Sequence, residues 1–526
     1  MTVSRASQTS SLRPLPPRPA RRRTRPGIAS ALVLSLALAG TTLLSAQEGD
    51  SGKTPPLEAG AAAVDITPQA FPVLPRGSFS PRPVDSVHDP LHARALALRS
   101  GKDRVVICVV DVIYIVEPTN SRIREEAAAA TGWPVENILL AGTHTHSAPS
   151  PYPRHAALLR WWDNGEDNPD APKAKSEDPA PETAFQKRTR EGTVAAIVQA
   201  VENLEPASIA FGTHDVPDEV RNRRWYLEEG TMPPNPFGGI DTVKMNPNRS
   251  TITKPAGPVD PEVATVSVKT AKGKALAVLS NYSLHYVGGT GGQISADYFG
   301  EFARLVAYRV GGRKPPENFV GILSNGTSGD INNSVFSGTR PPRAPYEQIT
   351  QVATKVADAA YLGVKEAEYV KSAPLAMRQR TVTLRCRRPD AERIAWAEKV
   401  LTMEPKEVKE AGMNSLAPHY AARILQMADY PETVDVTIQA IRIGEQAIVS
   451  IPFEVLVEIG LELKEKSPFP NTFTIELANG AYGYLPPPNQ HDLGGYETWM
   501  GTNYVTPDSS GILVKELLEM LGELRE

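Results

Sequence analysis

Three times along this chain an apolar run, a short polar turn with a glycine and a second apolar run follow one another and lead to a titratable residue. Leu91 to Leu98 and Arg104 to Val110 flank Ser100-Gly101-Lys102-Asp103 and lead to Asp111. Ala264 to Val268 and Ala275 to Ser280 flank Ala271-Lys272-Gly273-Lys274 and lead through Asn281-Tyr282-Ser283-Leu284 to His285. Val434 to Ile443 and Gln446 to Ile451 flank Gly444-Glu445 and lead through Pro452-Phe453 to Glu454. Apolar runs of this length separated by turn residues predict β-hairpins. Single strands are predicted from Ala59 to a stop at Pro68, at 138–140, at 208–211, at 319–323 and in the alternating Thr381 to Cys386. Helices are predicted at 117–131, stopped by Gly132-Trp133-Pro134, and at 189–203, 299–310, 346–368 and 390–402. Residues 404–432 read as a partly helical excursion, and 150–184 and 228–258 as loops. Strands alternating with helices predict an α/β, mixed α+β, class: one large domain whose mixed sheets are flanked by helices.

One strand ends on a chemically richer element. Ile138-Leu139-Leu140 runs into Ala141-Gly142-Thr143-His144-Thr145-His146-Ser147-Ala148-Pro149, which holds two of the nine histidines. In extended backbone alternate side chains share a face, so His144 and His146 are expected to project to one side. Such a pair reads either as two hydrogen-bonded polar residues or as two groups aimed at a metal. The polar stretch Ser324 to Asn333, opening after the strand at 319–323, has the composition of a turn that lines a site. In the loop after the histidines, Trp161-Trp162 reads either as a wall of a binding cleft or as local surface packing.

Composition narrows the partners. The 526 residues carry a net charge of −4, with no basic block beyond the N-terminus, which argues against nucleic acid. Arg21-Arg22-Arg23-Thr24-Arg25, the apolar stretch Ile28 to Leu44 and the small residues Ser45-Ala46 together predict a secretory signal peptide over 1–46, cut before Gln47 and followed by a linker over 47–58. The chain is therefore expected to be exported; an uncleaved membrane anchor is the alternative. Its two cysteines, Cys108 and Cys386, read as small buried strand residues, with a disulfide between them as the alternative that export permits.

Two histidines and a glutamate, each at the exit of a rigid strand, make the donor set of a catalytic zinc site with a position left for water. Gly142-Thr143-His144-Thr145-His146-Ser147 with Pro149, the Asp65-Ile66-Thr67 opening, His285, the Gly329-Asp330 turn, Pro452-Phe453-Glu454 and Asn479-Gly480-Ala481-Tyr482-Gly483-Tyr484 resemble, in this order, the neutral/alkaline (non-lysosomal) ceramidase family. The resemblance covers most of 59–525. It implies Zn2+ held by His144, His285, Glu454 and Tyr484, and hydrolysis of a linear amide by metal-activated water. It places His146 beside the metal to orient water or move a proton, with Tyr496 as a further site residue. Asp297 reads first as a helix cap and second as a site carboxylate.

Family members commonly carry a serine just after the Gly-Asp turn that engages substrate. Here Asn332 takes its place, an amide that can hydrogen-bond substrate but cannot act as a hydroxyl nucleophile. With Glu526 soon after Tyr484, the C-terminal β-sandwich domain of longer relatives is expected to be missing. The implied substrate is a small or lipid-like amide, N-acylsphingosine first, and a lipid substrate would bring the enzyme into transient contact with a membrane surface. Rival readings are a zinc hydrolase of another N-acyl amide or ester, and a binding protein that kept the fold. Ser147 as a serine-hydrolase nucleophile is weaker, because no G-x-S-x-G elbow surrounds it.

Overall fold

The computed structural model describes residues 54–77, 81–152, 182–336 and 343–526. The expected signal peptide, most of the linker and Trp161-Trp162 lie outside them. One unit built three times accounts for most of the described chain: three strands, a helix, a fourth strand and a second helix. The first repeat contains β1 (Leu57–Asp65), β2 (His92–Ser100), β3 (Asp103–Val110), α1 (Thr119–Thr131), β4 (Ile138–Gly142) and α2 (Ala184–Glu202). In the second are β5 (Glu205–Asp215), β6 (Glu262–Thr270), β7 (Ala275–Tyr282), α3 (Asp297–Gly311), β8 (Val320–Asn325) and α4 (Glu347–Val364). The third has β9 (Leu375–Arg385), β10 (Thr433–Ile443), β11 (Gln446–Ile451), α5 (Val457–Lys466), β12 (Asn471–Glu476) and α6 (Ser509–Arg525).

Within each repeat the strands lie in chain order. The first three are antiparallel, and the fourth is parallel to the third across its helix. The first two sheets join edge to edge through β1 and β5, but only at Glu58 and Ala59 against Pro206 and Glu205, so the eight-stranded sheet is two four-stranded halves.

The apolar runs of the sequence follow from this layering. In β3, Val105, Ile107 and Val109 face a core shared by all three sheets, with Leu279, Ile441, Ile448 and Phe473. Between them Val106, Cys108 and Val110 face α1 and α2, against Ile123, Ala127 and Ile197. A strand buried on both faces has no polar positions to alternate, so it reads as a continuous run. In β11, Ile448 points to the shared core, whereas Ala447, Val449 and Ile451 pack on α5 and α6 at Ile459, Leu463, Leu517 and Leu521. The second repeat lays Val278 and Tyr282 on Phe299 and Phe302 of α3 and Val352 and Val356 of α4. Truncating a central residue such as Ile107 to Ala should cost about 2–5 kcal/mol.

The hairpin and helix expectations hold, with two differences. Helix α2 begins at Ala184, because Thr183 and Gln186 form a reciprocal capping box there. Residues 228–258, read as loop, lie within an insertion between β5 and β6 that holds a small sheet of Arg224–Leu227, Val243–Met245 and Ile252–Pro255. These strands are too short, and too rich in Pro and Asn around them, to show a period. Both cysteines are free, Cys108 fully buried in β3. No helix among the described residues is long and apolar enough to cross a membrane.

Candidate metal and active site

The exits of the third and fourth strands of the repeats converge, as expected where parallel strands present their carboxyl ends. At the exit of β4 a Cβ on Gly142 would lie 2.9 Å from the Tyr114 Cα, so only glycine lets this chain pass the exit of β3 so closely. Thr143 N–H then donates to Val110 O and His144 N–H to Val112 O. The expected extended backbone is not what aligns the histidines. The strand ends at Gly142, and His144 has φ +72° in the left-handed region, which turns its ring inward and His146 after it.

Three imidazoles meet there. His144 Nδ1 lies 3.0 Å from Ile113 O, His146 Nδ1 3.0 Å from Gly77 O and His285 Nδ1 3.1 Å from Ser328 O. A carbonyl only accepts, so each Nδ1 is the donor and each Nε2 is turned inward. The Nε2 of His144 is 2.9 Å from that of His285 and 3.2 Å from that of His146. Glu454 Oε2, buried and without a hydrogen-bond partner, lies 3.4 Å from His144 Nε2 and 3.9 Å from His285 Nε2. Burial, then the neighbouring His144, holds His146 and His285 well below the usual imidazole range, so both stay neutral. Lone pairs and a carboxylate oxygen aimed at one another across about 3 Å repel, and a cation among them turns the repulsion into coordination. Among the described residues the three histidines are the group of His, Cys, Asp or Glu side chains close enough to share a metal ion. The residues fit one.

Glu454 is set by a two-residue parallel pairing of Glu454–Val455 with Tyr484–Leu485, which puts Tyr484 directly beside it. Tyr484 is hydrogen-bonded to Glu454, and burial followed by that carboxylate pushes its hydroxyl well above the usual phenol range. Arg223 acts in the opposite direction: its Nη2 donates to Tyr484 Oη at 3.1 Å and its guanidinium lies 5.5 Å from the ring centre. Tyr496 packs edge-on against Tyr484 at 5.5 Å, so both tyrosines of the sequence reading stand together.

Asn332 lines a cavity of about 540 Å³ that His285 and Arg223 also line, and its amide donates to Asn246 at 2.6 Å. Asp297 is not an N-terminal cap in the expected sense. As the first residue of α3, at φ +54°, it accepts the backbone N–H groups of Val287, Gly288 and Tyr298. Its oxygens are thereby engaged in fixing the loop after His285. Asp111, at the first hairpin exit, pairs with Arg94 at 2.5 Å, a structural ion pair.

Sequence reasoning missed three supports. Glu476, fully buried at the end of β12, accepts from Ser328 Oγ and N–H and from Val455 N–H, so one carboxyl braces the partner of His285 and the neighbour of Glu454. Arg223 and Arg224 enter from the insertion and share Glu497 at 2.9 and 2.6 Å. Gly77, at φ +101°, would place a Cβ 2.3 Å from His146 Nδ1. Only the unusual Arg-Asn-Arg-Arg run at 221–224 offered a local signal.

A family model described as neutral/alkaline non-lysosomal ceramidase, N-terminal, matches residues 58–342. Among solved structures, one described as a ceramidase complexed with C2 is similar over 90% of this chain and 75% of its own, with TM-score 0.64 and 18% identity. The neutral ceramidase of Pseudomonas aeruginosa is similar over the same shares, with TM-score 0.63 and 17% identity. No curated protein sequence matches the chain. At these identities the two structures speak for the fold.

Proposed function

The chain belongs to the neutral/alkaline non-lysosomal ceramidase family, and from that premise we propose that it hydrolyses the amide bond of an N-acyl lipid of the ceramide kind at a zinc site. The observation that carries the proposal is the set of inward Nε2 lone pairs beside the unpartnered Glu454 Oε2. His144, His285 and Glu454 would hold the ion, with Tyr484 Oη as fourth donor, whose negative charge Arg223 would stabilise. When bound, zinc supplies Lewis-acid polarisation of the scissile carbonyl and acidifies water.

The protein's own part is proton traffic and orientation. His144 and His285 are buried, whereas His146 is half-buried and so the histidine able to exchange protons with solvent. Neutral, and with Nδ1–H fixed by Gly77, it offers Nε2 as the base. The water oxygen bonds to the carbonyl carbon, His146 Nε2 takes the water proton, and the same proton passes to the leaving nitrogen as the C–N bond breaks. The products are a carboxylic acid and an amine. Asp297 and Glu476 keep the His285 loop and the Glu454 strand in register while this happens.

Elemental analysis of the purified wild type and of His285→Ala, with N-acylsphingosine hydrolysis measured on both, tests the reading. About one zinc per chain, lost in the variant together with activity, is the expected outcome. A wild type that holds no zinc after resupply would sink it. Residues 1–46 are proposed to direct export, and an exported chain should begin at Gln47 on N-terminal sequencing.

A further inference from the structure

The cavity beside the histidines is polar and carries an uncompensated charge. Its lining among the described residues includes two guanidiniums, Arg223 and Arg343, and no carboxylate. Arg223 is already committed to Glu497 and Tyr484. Arg343 is not: its Nη1 is buried and has no hydrogen-bond partner. The nearby carboxylates are engaged elsewhere, Glu347 by the Ala344 N–H at 3.0 Å. Glu219 pairs with Lys355 and accepts from Asn333 and Gln348, two amides of the cavity wall, while Asp297 accepts its three backbone N–H groups. Asn332 and Asn246 add amide groups to the same wall. A cavity wall of guanidinium and amide groups suits an anion, since an uncharged diol or a long apolar tail would leave the guanidinium bare.

We propose that Arg343 binds an acidic group on the amine half of the substrate, so that the preferred substrate is an N-acyl amide with an anionic head, such as an N-acyl amino acid or an N-acyl aminosulfonate. The inference rests on the amide-hydrolysis part of the reading above and replaces its neutral head group. The bond cleaved is the same; what changes is the leaving group, an amino acid or aminosulfonate in place of a neutral amino alcohol. Carboxylate and sulfonate share the chemistry that a guanidinium fork recognises.

The test compares hydrolysis of N-oleoylglycine, N-oleoyltaurine, N-oleoylethanolamine and N-acylsphingosine by wild type, Arg343→Gln and Arg343→Lys. It adds direct binding of N-oleoylglycine by titration calorimetry. The wild type should favour the two anionic amides, the glycine and taurine arms saying which acid fits better. Arg343→Gln should raise KM for them about tenfold to a hundredfold more than for the neutral amides, with Arg343→Lys recovering part of the loss. Equal effects of Arg343→Gln on anionic and neutral amides, or a wild type that favours N-acylsphingosine, would overturn the anion site while leaving amide hydrolysis intact. Arg343-dependent binding of N-oleoylglycine with no amide cleaved would instead overturn the hydrolase reading and leave the anion site standing.

Discussion

The exits of the first and third hairpins hold the same place in their repeats and end in opposite electrostatic states. Asp111 follows β3, and its Oδ2 receives Arg94 at 2.5 Å and the His92 N–H at 2.8 Å. Glu454 follows β11, and its Oε2 is buried with no hydrogen bond, facing imidazole nitrogens. Topology brings a carboxylate to each exit, but the partner decides what it does. A carboxylate whose charge is already neutralised stabilises the fold, and one whose oxygen faces a convergence of lone pairs is placed where it could ligate a cation.

That contrast gives the largest predicted effect. Glu454→Ala should lose bound metal and at least about a thousandfold in amide hydrolysis, since it removes the carboxylate from the proposed set of four donors. The chelated variant should nevertheless melt no lower than the chelated wild type, because the substitution removes a buried carboxylate whose Oε2 faces only imidazole nitrogens. Calorimetry with and without chelator, alongside metal analysis, checks both halves. A variant that keeps its metal would end the ligand assignment. Asp111→Ala should do the reverse: metal retained, and stability lowered by about 3–5 kcal/mol in urea unfolding, because Arg94 is left buried without its counter-charge. Metal loss in a folded Asp111→Ala protein would erase the distinction.

The same contrast marks what the sequence can tell. The third hairpin, read at 434–443 and 446–451, is 433–443 and 446–451 in the structure, because burial on both faces writes itself locally as apolar runs cut by Gly444-Glu445. His144, His146, His285 and Glu454 were legible as strand-exit residues, and they do converge. What aligns the histidine pair is a left-handed turn at His144 in place of alternation in a strand. What sequence alone could not supply was why Asp111, unlike Glu454, is taken up by an ion pair. Arg94 lies on the adjacent strand, opposite Val109, and nothing in the Asp111 neighbourhood announces it. Glu476, Gly77 and Arg223 were hidden for the same reason: each acts on a residue more than 20 positions away.

The second repeat supplies an intermediate state at the exit of its fourth strand. Asp330 is fully buried and receives only neutral donors, Asn222 Nδ2 at 2.6 Å and Val457 N–H at 2.9 Å, and burial raises it from 3.8 to about 6. A carboxyl raised on folding contributes stability in full below its unfolded pKa and loses it as pH climbs through the folded value. Between pH 4 and 6.5 the metal-stripped wild type should therefore lose up to roughly 3 kcal/mol relative to Asp330→Asn, which has no proton to release. Urea midpoints of the two proteins across that window measure it, and a gap that does not change with pH would show that Asp330 is ionised throughout.

The smallest effect separates ligand from proton carrier at His146. Gly77 accepts its Nδ1–H at 3.0 Å, and a Cβ there would stand 2.3 Å from the same nitrogen on a backbone at φ +101°. Gly77→Ala must push the imidazole away or shift the segment, at a strain cost of about 1–3 kcal/mol. If His146 carries the proton and His144, His285 and Glu454 carry the metal, the variant keeps about one metal per chain while kcat falls about tenfold and KM holds. Were His146 a ligand, metal affinity would fall with kcat, and added metal would restore the rate. Metal titration of Gly77→Ala at fixed substrate therefore decides which of two histidines one residue apart sits with Glu454, and whether the half-buried ring or the buried one does the chemistry.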